Sequence, residues 1–424
     1  MHRTSAVVTL ALFMGGAAGA QTSITCLSIA SHLTRQHQPL VEMFHAMQDE
    51  IEVTYAAPVQ DYSGIHLNML RGSATDTLPD CAFGGYNQLP PMAEALNARG
   101  QIVDLGPLME AEGAGWVEEN YTEQMLLPGK VDGVQWAMPF NASLIQWYYN
   151  ADLFRAAGLD PDAFPTTWEG VIDAAVKIAA LNDDTLGLSY GADTWGDDWP
   201  WQTLITSQGG QMVSADRTDI LFDEGDLHIK GMQILRDLVE SGAYDPAVDS
   251  DAQLSAFTEG EMGIFASSPA GATFFAERVG EAFEIKSAPF TIIDQENGYL
   301  PVGGNVAVIT TQDPEKIAAA WEYIKFVTGA EGQNFVAKAT GYLPTNRLAL
   351  GPDFMGTFYD DNPYFATPRN QYDRVGPYAG YKGTQTEKIW RDQRATIREV
   401  MLGDVSVEEG ADRMVTIAEE LMQR

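Results

Sequence analysis

Three tryptophans, Trp195, Trp199 and Trp201, fall within seven residues of a turn-rich, acid-bearing stretch from Asp193 to Gln202. Flat indole faces stack on the C–H faces of a sugar or polyol while neighbouring polar groups orient its hydroxyls. The plainer account is that one or two of them pack in the core. Tyr342, in Gly341-Tyr342-Leu343-Pro344, and Tyr378, Tyr381 and Trp390 add further flat rings. Gly303-Gly304-Asn305 and Ala266-Ser267-Ser268-Pro269 interrupt apolar strands. Glycine at such places lets the backbone approach a ligand closely or adopt an unusual dihedral at a hinge, although an ordinary turn would also account for it.

Other chemistries find less support. Gly187-Leu188-Ser189-Tyr190-Gly191 matches the G-x-S-x-G pattern of a hydrolase nucleophile elbow, which needs a sharp strand-to-helix turn and a downstream histidine. His228 is the only histidine after Ser189, and Asp193 to Asp198 make a poor helix start. A secreted serine hydrolase therefore stays as a third reading. Asp245 to Asp251 cluster acids without the glycine that a calcium loop requires. Two cysteines and dispersed histidines offer no metal-ligand spacing, and no Walker-type or dinucleotide glycine motif occurs, so neither metal nor cofactor is expected. Cys26 and Cys81 sit in short apolar segments, as a disulfide or as two buried thiols.

The elements that would position these residues follow from periodicity. Ile24–Ile29, Ile51–Tyr55 and Cys81–Phe83 read as strands, separated by a helix through Leu40, Val41, Phe44 and Met47 and another near Ile65–Leu70. Further on come a strand at Leu144–Tyr149, a helix capped by Asn150, a helix capped by Thr167 and a strand at Leu186–Tyr190. Asp313-Pro314-Glu315 opens an amphipathic helix with Ile317, Trp321, Ile324 and Val327 inward and Gly329 at its end. Segments at Thr386–Met401 and Val405–Met422 complete the helices. Strands alternating with helices indicate an α/β fold with parallel sheets and a site built at strand ends.

Met1 to Ala20 reads as a secretory signal peptide: Arg3, a short apolar run from Ala6 to Met14, and Ala18-Gly19-Ala20 before a cut ahead of Gln21. The rest, about 400 residues, suits two domains. A net charge of −34 repels nucleic acid and anionic lipid, and no basic patch offsets it.

In this order the pieces resemble the extracellular solute-binding proteins of ABC importers, the carbohydrate cluster that includes maltose-binding and glycerol-3-phosphate-binding proteins, the latter branch most of all. The resemblance rests on Met138-Pro139-Phe140-Asn141-Ala142-Ser143 leading to Trp147-Tyr148-Tyr149-Asn150-Ala151-Asp152-Leu153-Phe154. It continues through Ala157-Gly158-Leu159-Asp160-Pro161, Pro165-Thr166-Thr167-Trp168, Gly260-Glu261-Met262-Gly263-Ile264 and Thr340-Gly341-Tyr342-Leu343-Pro344-Thr345. It implies a two-lobed periplasmic binding protein fold (type II) with three crossovers, near Asn141–Ser143, Ala266–Pro269 and Phe326–Gly329. The lobes would be 21–142 plus 269–327 and 143–268 plus 328–424. It implies a monomeric, non-enzymatic periplasmic protein that carries a sugar, polyol or glycoside to permease subunits, with glycerol 3-phosphate or a glycerophosphodiester as the alternative. The implied contacts are Tyr62, Tyr86, Ser143, Trp195, Trp199, Ser268, Gly303, Gly304 and Tyr342. Tyr86 stands where the branch carries an acid. Trp390 falls where it carries a phosphate-binding arginine, with Arg391 beside it. An indole cannot make a bidentate pair with phosphate but can stack on a sugar.

Overall fold

A computed structural model describes residues 21–422; the expected signal peptide, Met1 to Ala20, lies outside them. In chain order the strands are Thr22–Leu27 (β1), Ile51–Tyr55 (β2), Cys81–Gly85 (β3), Lys130–Val131 (β4), Val134–Gln135 (β5), Met138–Ser143 (β6), Gln146–Asn150 (β7), Leu186–Ser189 (β8), Met262–Ser267 (β9), Ile285–Pro289 (β10), Leu300–Pro301 (β11), Gly303–Ile309 (β12) and Val375–Gly376 (β13). They form a five-stranded sheet, β2-β1-β3-β12-β6, a four-stranded sheet, β10-β7-β9-β8, and two small pairs.

Local chemistry starts the helices where the sequence suggests. Pro39 lies in the first turn of the helix Gln38–Met47, which buries Leu40 and Phe44. The side chains of Asn150, Thr167 and Asp313 each accept a main-chain N–H of the turn they cap. Such caps satisfy donors that the helix itself leaves unpaired. The helix Pro314–Thr328 then buries Trp321, Ile324 and Val327 against the first sheet.

The sheets are mixed, which corrects the expectation of parallel ones. β1 runs parallel to β2 and β3, but β12 is antiparallel to both β3 and β6, and β7 is antiparallel to β9 and β10. Cys26 and Cys81 are register partners in β1 and β3, with Cα atoms 4.5 Å apart, and they form a disulfide.

Strand membership also moves two of the expected crossovers. The first passage, between β6 and β7, falls at Ser143–Gln146, just past the expected Asn141–Ser143. The second does not fall at Ala266–Pro269: β10 still pairs with β7, so the chain returns to the first sheet only between Pro289 and Gly303. The third lies beyond Phe326–Gly329. The helix Ala330–Thr340 packs on Pro314–Thr328, Leu343 bridges Ala142, and the Thr345 hydroxyl donates to the Pro139 carbonyl. Renewed contact with the second sheet comes at Pro363–Phe365 against β10. The reason is β10 itself, a short half-buried edge strand ending in proline, whose pattern barely separates it from a loop.

Candidate functional site

The register of the first sheet gathers one group of residues at one of its ends. Gly303, Gly304 and Asn305 pair with Ser143, Ala142 and Asn141, and Asn305 also pairs with Gly85, just before Tyr86. The bridge from Ala142 to Leu343 brings Tyr342 alongside. A β-carbon on Gly85 would stand 3.3 Å from the Tyr62 Cβ, so Tyr62 closes over the same corner. His32, a few residues past β1, lies edge-on between Tyr62 and Tyr342, with ring centroids 6.0 and 5.9 Å away. Strand ends are where loops are free to build a site in an α/β sheet.

The second group comes from the other sheet. Ser268 follows β9, and the loop after β8 carries Trp195, Asp197 and Asp198 into Trp199, the first residue of the helix Trp199–Ser207. The two groups meet directly. The hydroxyls of Ser143 and Ser268 are 2.7 Å apart, and the Trp199 Nε1–H donates to the Pro301 carbonyl at 2.8 Å. Trp195 lies 5.5 Å from Trp199 between ring centroids and is half-buried.

The electrostatics of this junction favour neutral groups. Burial pushes the Tyr342 phenol up to about 12, and burial together with Tyr342 holds Tyr62 well above the usual tyrosine range. Burial, with Arg35 adding to it, lowers His32 to about 4, so its ring is neutral near pH 7. Burial first, and then the adjacent Asp197, raises Asp198 to about 7. Asp197 is also raised, chiefly by desolvation; its carboxylate accepts from the Trp199 amide and the Asn87 side chain. The hydroxyls of Tyr62 and Tyr86 are sealed with no hydrogen-bond partner, as is the Asn305 side-chain oxygen. Buried polar groups are nearly always paired, so these three need an explanation, although unpaired buried atoms also occur elsewhere in the chain.

The expected contacts divide cleanly. Tyr62, Tyr86, Ser143, Trp195, Trp199, Ser268, Gly303, Gly304 and Tyr342 gather at the junction. Arg391 does not: it is exposed and pairs with Asp392. Neighbouring helical positions differ by about 100°, which turns it away from the buried face. Trp390 is buried in the same core cluster as Tyr378 and Tyr381, its N–H unpaired. Trp201 belongs to the core, against Phe222 and Gly231. Ser189 is buried, and its hydroxyl donates to the Gln253 side chain rather than to a histidine.

Several participants escaped the sequence reading. His32, Asn87, Asn305 and the Asp197–Asp198 pair are among them, and only His32 carried a usable signal, its place just beyond a strand end. Arg394 is another. It lies one turn beyond Trp390, and its Nη1 donates to the carbonyls of Trp195 at 2.5 Å and Gly196 at 2.7 Å. Arg398, a further turn on, pairs with the buried Asp193 carboxylate at 2.8 Å. Two arginines of one helix face thus fasten the tryptophan loop. Among the described residues, no group of three His, Cys, Asp or Glu side chains could hold a metal ion, and no helix is long and apolar enough to cross a membrane.

Comparison with known proteins gives the architecture a context. The cyclic α-maltosyl-1,6-maltose binding protein of Arthrobacter globiformis superimposes with a TM-score of 0.79 at 20% identity, over 95% of this chain and 99% of that one. UgpB of Mycobacterium tuberculosis, solved in complex with glycerophosphocholine, gives 0.79 at 18% identity with the same coverage. These likenesses establish a two-lobed periplasmic binding protein fold. In sequence, the sn-glycerol-3-phosphate-binding periplasmic protein UgpB of Rhizobium meliloti (strain 1021) is 26% identical over 303 residues, 68% of this chain and 67% of that protein. The family model described as bacterial extracellular solute-binding protein matches residues 39–365, well over half of the chain. The chain belongs to the bacterial extracellular solute-binding proteins.

Proposed function

We propose that this protein captures a carbohydrate-type solute (a sugar, a polyol or a glycoside) between its two lobes and delivers it to the permease of an ABC transporter. It is a binding protein and not an enzyme, and it works as a monomer in the periplasm after loss of the signal peptide. The lobes are 21–143 with 303–345, built on the first sheet, and 146–289 with 363–422, built on the second.

The observation that carries this reading is the meeting of hydroxyls, phenols and indoles from both sheets at one junction, where the Tyr62 and Tyr86 hydroxyls and the Asn305 side-chain oxygen stay unpaired. Leaving a buried polar group unpaired costs about 1–3 kcal/mol. The Tyr62 and Tyr86 hydroxyls carry that cost, and a polyhydroxylated guest supplies both donors and acceptors to offset it. Trp195 and Trp199 offer faces for its C–H surface. A neutral guest is favoured at the junction: Arg391 turns to Asp392, the Arg394 Nη1 is held by main-chain oxygens, and Asp197 and Asp198 disfavour an anion. Ser189, tied to Gln253, offers no activated nucleophile.

The second reading, a ligand such as glycerol 3-phosphate or a glycerophosphodiester, draws its support from the names of the related proteins. A thermal-shift panel of sugars, polyols, glycosides and glycerol phosphates separates the two. A solute at 100 times its dissociation constant stabilises the fold by about 2.7 kcal/mol. Stabilisation by neutral members supports the first reading; stabilisation by phosphates alone replaces it with the second.

A further inference from the structure

Away from the candidate site the lobes meet again, at a seam between the helix Leu89–Asn97 of the first and the turn 214–219 of the second. Val213 bridges Ile220 across that turn, and side chains tie its tip. The Asp216 carboxylate accepts the Ser214 and Thr218 hydroxyls at 2.7 and 2.8 Å, and the Ser214 oxygen accepts the amides of Thr218 and Asp219. Arg217 sits at the tip with φ 59°, in the left-handed region, where a residue with a side chain stays only if its surroundings enforce it. Ala215, Asp216, Thr218 and Asp219 are exposed, yet the Arg217 side chain is only 11% exposed. It reaches the other lobe, where its Nη2 donates to the Glu94 carboxylate.

The seam is thin beside this pair. Cavities of about 440 and 400 Å³ share Arg217 in their walls. The charged groups that share those walls, Lys130, Asp132, Asp219, Lys382 and Glu419, form no ion pair with it, and among the described residues no other ion pair joins the two lobes. On the same seam, Gly380 of the second lobe lies against Asn87 of the first. A β-carbon there would stand 2.4 Å from the Asn87 carbonyl oxygen and 3.5 Å from the Pro90 ring. Gly380 is not in the left-handed region, so what excludes a side chain is the other lobe.

The Glu94 side chain is 38% exposed, which keeps the desolvation cost of the pair low and lets Coulomb attraction favour contact. Nη1 of Arg217, buried without a partner, takes part of that gain back. A net charge of −34 also works against compaction. The balance is a weak attraction, present only while the lobes are together.

We propose that Arg217 and Glu94 are positioning residues for solute capture: a latch across the seam that biases the ligand-free lobes toward closure without completing it. A closed arrangement populated in advance raises apparent affinity in proportion to that population. The inference rests on the lobe closure of the reading above and not on which solute is carried.

The test reads the lobe-to-lobe distance in the ligand-free mature protein by pulsed electron paramagnetic resonance. Spin labels sit on Ala98→Cys and Gln233→Cys, one exposed helical position on each lobe. The otherwise unaltered protein shows a short-distance population that Glu94→Gln and Arg217→Gln both deplete. Repulsion between acidic lobes alone predicts opposite shifts, because one variant removes a negative charge and the other a positive one. The exchanged pair, Glu94→Arg with Arg217→Glu, restores the population. Gly380→Ala keeps both charges and depletes it by pressing on Asn87. Glucose, mannitol, maltose and glycerol 3-phosphate are then titrated into the same proteins. Affinity for any that binds falls on the order of fivefold in each single variant and returns in the exchanged pair. One distance distribution throughout, opposite shifts in the two single variants, no recovery in the exchanged pair, or affinity indifferent to the variants overturns the latch. Failure of all four probes to bind counts against the solute reading alone, and the distances still decide the latch.

Discussion

Trp199 packs tightly on Gly303: a β-carbon there would stand 3.1 Å from its indole. This contact sets a tryptophan from the second lobe against the strand that begins the return to the first. At Gly304 the constraint is sharper. Its φ is +107°, and a β-carbon would lie 2.2 Å from the Asn141 carbonyl oxygen. We expect Gly304→Ala to lower stability by about 1–3 kcal/mol in chemical denaturation, the cost of backbone strain at such a position. Gly303→Ala, which displaces only a ring by a few tenths of an ångström, should weaken solute binding more than it lowers the melting temperature. Equal effects at the two positions would mean that neither glycine is there for the site.

The two tryptophans of the loop should differ in what they support. Trp195 is half-buried, so Trp195→Ala should weaken solute binding by about 1–3 kcal/mol in a titration, the value of a stacked aromatic contact, with little loss of stability. Trp199 is buried and bonded to Pro301. Trp199→Ala should therefore reduce both affinity and melting temperature. Unchanged affinity in both variants would move the cleft away from this loop.

Acid pH should favour the packing around Asp198. Its folded-state value, raised to about 7, lies above the ordinary carboxylate value of 3.8. The native protein therefore binds more protons than the unfolded chain between those limits. Stability from this group is full below about pH 4 and is lost as pH rises through 7. Asp198→Asn removes the charge and keeps a side-chain oxygen for Gln202 or Tyr378. Its melting temperature should exceed that of the unaltered protein at pH 8 and match it at pH 4. His32 works in the opposite direction: its lowered value means that stability falls as pH drops from 6.5 toward 4. Comparing Asp198→Asn with the unaltered protein at each pH leaves the His32 contribution common to both.

The disulfide closes a separation of 55 residues between β1 and β3. Replacing both cysteines with serine should cost about 2–4 kcal/mol, mostly through a freer unfolded chain. Denaturant titration under oxidising conditions checks this, and an unchanged midpoint would make the bond incidental.

Much of this architecture was legible because it is written in short-range chemistry. Asn150, Thr167 and Asp313 cap helices at the positions that their sequence context announces, and β2 spans the residues that periodicity assigns. The disulfide was one of two open options until strand register placed Cys26 opposite Cys81. The crossovers were harder to place, because β10 is an edge strand with little hydrophobic pattern and only its partner β7 defines it. Tyr62, Tyr86, Ser143, Ser268 and Tyr342 were found through a resemblance and then brought together by register. Arg391 and Arg394 show the limit of such transfer. Which arginine faces the tryptophan loop depends on the phase of one helix, and a shift of a single position is enough to turn a side chain to solvent. Asn305 reaches His32 across 273 positions, a separation that no local pattern encodes.

The central claim is that a solute is held between two lobes that close on it. Small-angle X-ray scattering of the mature protein, with and without a saturating solute from the panel, tests it most directly. The account expects a smaller radius of gyration in the presence of solute, with the solute recovered unchanged. An identical scattering profile at saturation, or conversion of the solute to a product, would contradict it.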